Sequence, residues 1–246
     1  MKTSRVAKDV LRDLQNLADP VKAAFFPKFF QAFPSGYGDG DRFLGVTVPN
    51  IRTVAKTYAT LPRPQLLACL QSPWHECRMV GLFILTRQFE VAKKDPAERE
   101  SLVDFYIAQL DHVNNWDLVD CSAYKVLGAH VVAYPDQRDR LYKLANSGHL
   151  WRERVAIVAT LAQIRKREFA DVLKLSEQFL THRHDLIHKA VGWMLREMGQ
   201  RNEGILRAFL DEYAAQMPRT MLRYSLEKLE PATRQTYMSA KSNLKK

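Results

Sequence analysis

The sequence predicts an all-α fold, a solenoid of stacked helical pairs, and three observations predict it. Apolar residues recur at helical spacing through most of the 246 residues, and no stretch alternates convincingly with period two. A charged-then-small pattern also returns at intervals of 34 to 42 residues. With 46% hydrophobic and 10% aromatic residues, the chain is rich enough in core material to exclude a disordered class. It carries 37 Lys+Arg against 27 Asp+Glu, a formal net charge of +10, which points to a polyanionic partner and to nucleic acid first.

Residues 4–18 read as an amphipathic helix, with Val6, Val10, Leu11, Leu14 and Leu17 at helical spacing. Pro20 ends it and opens a second helix, 21–32, crowded with Phe25, Phe26, Phe29, Phe30 and Phe33, most of them expected in the core. The Gly-rich stretch 35–41 follows a helix rather than a strand, so it is no dinucleotide fingerprint, and its Asp spacing fits no calcium loop. It reads as a mobile turn or as backbone that approaches a ligand closely. From Pro49 onward helix follows helix, punctuated by Pro62-Arg63-Pro64, Ser72-Pro73, Asp95-Pro96, Pro135, Ser147-Gly148, Asn202, Pro218 and Pro231. One domain is expected: N-terminal helices and Gly-rich loop over 1–48, helical repeats over 49–240, and a basic tail over 241–246.

The repeat is visible at Arg78, Asp120, Arg154, Lys189 and Arg223. Each opens an apolar run with Gly, Ala or Ser two or three positions later, and the spacings are 42, 34, 35 and 34. Helix pairs of that length, with small residues where helices cross, predict an α-solenoid of HEAT-like repeats. The aromatic signature of tetratricopeptide repeats is absent. Stacking places the register position along one surface, a concave basic face with four cations suited to phosphates and one acid, Asp120, at its centre.

That acid sits in Asn114-Asn115-Trp116-Asp117-Leu118-Val119-Asp120, which reads as a helix start capped by Asn115. Trp116 and Asp120, four apart, project from one face. An ionised carboxylate beside a large aromatic, in a basic chain, suits a cation delivered by a polyanion. Taken singly, Trp116 and Trp193 read as packing residues, Asp120 as an ion-paired carboxylate, and Arg154 as a local ion-pair partner.

Other chemistries do badly. There is no G-x-S-x-G, Walker A or H-E-x-x-H motif. A metal at His182, His184 and His188 would be repelled by Arg183 and Lys189, so no metal site is expected. Three cysteines, Cys69, Cys77 and Cys121, without a C-x-x-C, indicate a reducing compartment with neither disulfide framework nor zinc. The start of the chain has no signal-peptide core, and the longest apolar run, Met79 to Leu85, is too short for a bilayer. A cytoplasmic, nucleoid-associated protein with no membrane partner is expected.

At these residues the chain resembles the AlkD-type DNA alkylation repair proteins, which are HEAT-like DNA glycosylases, over about residues 20–240. The resemblance rests on 37–46 (YGDGDRFLGV), 116–120 (WDLVD), 151–154 (WRER), 185–197 (DLIHKAVGWMLRE) and 217–224 (MPRTMLRY). It implies that Asp120 is the catalytic carboxylate, Trp116 and Trp193 the site tryptophans, and Arg154 the phosphate-binding arginine. Arg78, Lys189, Arg196, Arg219 and Arg223 would add backbone contacts, and Phe30 or Tyr37 would supply the N-terminal aromatic that touches DNA. Asn115 stands where a relative carries a further tryptophan. The implied activity is monofunctional excision of cationic N3- and N7-alkylated purines from double-stranded DNA, without a base-flipping pocket, without a cofactor, by a monomer. Two rivals are a weakly catalytic relative that binds branched or distorted DNA, and a protein-binding HEAT scaffold.

Overall fold

The computed structural model describes residues 6–239, and among these no strand forms; one isolated bridge joins Arg42 to Trp74. The chain divides into two compact units, 1–122 and 123–246. The basic tail, 241–246, lies outside the described residues.

The first unit holds α1 (Ala7–Gln15), α2 (Pro20–Phe29), α3 (Val48–Thr57), α4 (Arg63–Leu70), α5 (His75–Val91), α6 (Pro96–Ala108) and α7 (Trp116–Ser122). Prolines open several of these helices instead of merely ending their predecessors. Pro20 follows the cap Asp19, whose carboxylate accepts from the Val21 and Lys22 N–H groups, and Pro96 follows Asp95, which accepts from Glu98 N–H. A first-turn proline forfeits no hydrogen bond, because that N–H has no intrahelical partner. The core is organised on α5, buried continuously from His75 to Thr86, with α1, α3, α4, α6 and α7 packed around it.

Helix α2 departs from expectation. Phe25, Phe29 and Phe33 are 56%, 50% and 48% exposed, while Phe30 is buried and Phe26 half-buried. Phe25, Phe26, Phe29 and the cap Phe30 cover more of the circumference than one stripe, and a helix packed on one side buries only one stripe; Phe33 lies beyond the end of the helix. Phe26 and Phe30 take the inner face against Phe43; the other three face out.

The Gly-rich stretch folds as a plug against the first unit. A Cβ on Gly38 would lie 2.5 Å from the Phe30 carbonyl oxygen and 3.0 Å from Asn115 Nδ2, so only glycine lets the loop lie on the end of α2 and the start of α7.

The second unit holds a single π turn at 124–128, then α8 (Ala129–Ala133), α9 (Asp139–Ala145), α10 (Leu150–Ala159), α11 (Leu161–Arg165), α12 (Ala170–Gln178), α13 (Asp185–Gly199), α14 (Glu203–Tyr213), α15 (Arg219–Ser225) and α16 (Pro231–Met238). Helix α10, buried from Glu153 to Ala159, packs on α9 and α13, and α13 packs in turn on α14 and α15. The close crossing of α13 and α15 depends on Gly192, where a Cβ would meet the Met221 carbonyl oxygen and Tyr224 Cβ at 2.5 Å.

The register is regular. Asp120, Arg154, Lys189 and Arg223 are each the fifth residue of their helix, and Arg78 is the fourth of its own. Helical pairs repeating in this register make an all-α fold consistent with a HEAT-like α-solenoid.

Candidate active site

In the first unit the site is built on α7. Asn115, fully buried, accepts from Trp116 N–H at 2.9 Å through its side chain, while its backbone carbonyl accepts from Val119 N–H, so it stands at the cap. Its amide also donates to the Phe30 carbonyl at 3.4 Å, tying the start of α7 to the end of α2. Trp116 is half-buried: its ring stacks on Phe30 (centroids 5.5 Å, planes 23° apart) and meets Phe29 edge-on at 5.9 Å. Asp120 lies one turn further along the same face and is half-buried. Nearby, burial pushes the Tyr106 phenol upward. The Tyr106 hydroxyl shares a 2.9 Å hydrogen bond with Ser122, which fixes the far end of α7.

Behind the aromatic layer lies a buried ionic cluster that sequence reasoning missed. His75 Nδ1 is 2.8 Å from Asp41 Oδ2, and Nε2 is 2.9 Å from Asp117 Oδ2. Ionised carboxylates only accept, so a ring facing one at each nitrogen must donate twice, as imidazolium. Burial alone would lower the His75 pKa; the charges and hydrogen bonds of Asp117 and Asp41 outweigh it and raise the group to about 9. Burial likewise opposes ionisation of Asp41, but His75 and Arg78 overcome it and hold the carboxyl below its ordinary range. Beside it, Glu76 accepts from the Leu44, Gly45 and Val46 N–H groups at 2.8–3.2 Å and anchors the 43–46 segment. The available signal was a His-Glu pair heading an otherwise apolar helix.

This cluster corrects Arg78. It is 4% exposed, with its guanidinium bonded to Asp41, Asn114 and the Ser72 carbonyl, so it is a strut neutralised by a carboxylate and not a surface phosphate contact. Phe30 is corrected too: at 8% exposure it stacks between Phe43 and Trp116 as packing, and the outward aromatic touching Trp116 is Phe29. Tyr37 is half-buried in the plug.

In the second unit, Arg154 is 5% exposed and its Nη1 donates to the Leu186 carbonyl in the first turn of α13. The segment leading into α13 is held by histidines: Glu153 bonds His182 Nε2 at 3.0 Å, and the Nδ1 atoms of His182 and His184 accept from His184 and Leu186 N–H. Burial, then the charges of His182, His188 and Arg154, lower the His184 pKa, which keeps the ring neutral and able to accept. Among the described residues no cluster suited to a metal ion forms. Trp193, half-buried, donates its indole N–H to Glu197 Oε1 at 3.3 Å, with Lys189 one turn before it on the same face and bridged to Asp185 at 2.8 Å. Arg196 pairs with Glu227, Arg219 donates to the Met238 carbonyl at 3.0 Å, and Arg219 and Arg223 are exposed.

A family model described as "DNA alkylation repair enzyme" matches residues 10–229. The chain belongs to the DNA alkylation repair enzyme family. No curated protein matches it. Among solved structures it is similar to a "Predicted DNA alkylation repair enzyme from Enterococcus faecalis", at 18% identity and TM-score 0.68, with 87% of this chain and 97% of that one covered. At that identity the likeness shows the shared fold. Membership in the family assigns the protein to DNA alkylation repair and to binding DNA, and no helix among the described residues is long and apolar enough to cross a membrane.

Proposed function

We propose that this member of the family is a monofunctional glycosylase that hydrolyses the N-glycosidic bond of N3- and N7-alkylated purines in duplex DNA. The observation that carries the reading is the pairing on α7. A half-buried carboxylate, Asp120, lies one turn from Trp116, whose ring is backed by Phe30 and Phe29. Alkylation at N3 or N7 leaves the purine cationic, so it departs as a neutral base and no strong general acid is needed. Positive charge then develops on the deoxyribose. An ionised Asp120 stabilises that charge and orients the water that attacks C1′, leaving a free base and an abasic site. The indole face of Trp116 favours the cationic sugar through its negative quadrupole.

Phosphate contacts fall to the exposed Arg219 and Arg223 and the half-buried Lys189, while Arg154 contributes a fixed positive charge at the start of α13. The lesion carries its activation with it, so this chemistry does not require the base to be drawn into an enclosed pocket. The test is release of free alkylpurine from methylated duplex. Wild type should release base; Asp120→Asn should bind the same DNA and release about 10²- to 10³-fold less, the usual cost of losing one transition-state electrostatic contact. Equal release from the two proteins would remove Asp120 from the mechanism.

A further inference from the structure

The start of α7 rests on one buried imidazole. His75 opens α5 and reaches two separate pieces of backbone: the plug, through Asp41 at 2.8 Å, and the first turn of α7, through Asp117 at 2.9 Å. Phe30 and Phe43, stacked on each other, both lie against its ring, each with its centroid 4.9 Å away. Phe30 is the ring on which Trp116 stacks, and Asp117 is the next residue after Trp116. The indole is therefore tied to His75 twice, once along the backbone and once through a ring stack.

We propose that His75 is a positioning residue for excision: bridging Asp41 and Asp117 as an imidazolium, it sets the pitch of the Trp116 ring and the start of α7, and with them the direction of the Asp120 carboxylate. This rests on the glycosylase reading above for its consequence, but not for its geometry. The cation is required at both ends. A neutral ring has one N–H and would leave one carboxylate buried without its donor. Asp41 has a second cation in Arg78, whereas among the described residues no other cation is bonded to Asp117, so loss of the imidazolium charge falls on the α7 side. The charged groups around the ring are Asp41 from the plug, Asp117 from α7 and Arg78 through Asp41. Glu76, the next residue on α5, is turned to the 44–46 backbone.

The test reads Trp116 directly. In ¹⁵N-labelled protein, the Trp116 indole resonance is assigned by its loss in Trp116→Phe and followed with pH. It should titrate with a midpoint near pH 9, following His75, and the titration should vanish in His75→Gln. Asp117→Asn keeps an oxygen acceptor for Nε2 but removes the charge, so it should move the midpoint toward the ordinary histidine value; it also carries the test if His75→Gln fails to fold. Single-turnover excision should fall about 10²-fold in either variant, the scale of a small misplacement at a reacting centre, with affinity for undamaged duplex unchanged. An indole resonance that ignores pH in wild type, or variants that excise at the wild-type rate, would overturn the proposal. If wild type releases no base, the glycosylase reading falls, while the indole titration still decides whether His75 positions Trp116.

Discussion

Trp116 and Trp193 are both half-buried on helices that carry a charged residue at the fifth position, yet they are held by opposite means. Trp116 lies at the edge of a layer built from Phe26, Phe29, Phe30, Phe43 and His75, with ion pairs behind it. The indole of Trp193 bonds within its own helix, to Glu197 one turn on, and its α13 face carries the Lys189–Asp185 pair. The first arrangement gathers residues from four places in the chain; the second is local. A side chain that must hold its pitch against a bound duplex is secured better by the first, because stacked rings and a buried charge network have few alternative arrangements.

The comparison can be broken by mutation. The largest effect on stability is expected at Glu76. Glu76→Ala leaves the buried Leu44, Gly45 and Val46 N–H groups without their acceptor, and each unsatisfied group costs about 1–3 kcal/mol, so the melting temperature should drop sharply. Next comes the pair of tryptophans. Trp116→Ala should cost about 2–3 kcal/mol through lost stacking and burial, and Trp193→Ala about 1 kcal/mol, as chemical denaturation would resolve. Equal costs would erase the distinction drawn here.

The pH dependence of stability should be smaller, and in the first unit it follows His75 and Asp41. His75 has a folded pKa raised from 6.5 to about 9, so its contribution is complete below pH 6.5 and is lost as pH rises through 9. Asp41, held below 3.8, contributes above that value and loses its share as pH falls through its lowered pKa. Thermal melting should therefore peak between about pH 4 and 6.5 and decline toward pH 9, and His75→Gln should flatten that decline. Smallest of all, Arg223→Ala should weaken damaged and undamaged duplex alike and reduce the log–log salt slope by about 0.9, the share of one neutralised phosphate. A loss confined to damaged DNA would contradict a phosphate contact.

The helical architecture was legible because its signals are local. The apolar period marks each helix, and the charged-then-small register recurs at intervals that the folded helices reproduce, with Asp120, Arg154, Lys189 and Arg223 all in the fifth position. Trp116 and Asp120 were legible as a pair for the same reason, since four-residue spacing fixes a shared face. What was not legible is which charges turn inward. Arg78 and Asp41 are 37 residues apart, and nothing near either shows that they neutralise one another in the interior. Five phenylalanines in and just after α2 likewise show that some must be exposed without showing which. Phe29 emerges only when Phe26 and Phe30 are seen to occupy the inner face.

The role of Asp120 is tested most directly by the free alkylpurine released from methylated duplex by wild type and by Asp120→Asn at matched DNA binding. Release by wild type that collapses in the variant is the result expected if Asp120 stabilises the positive charge that develops on the deoxyribose. Release that survives the substitution, or salt-sensitive duplex binding with no release from either protein, would contradict it.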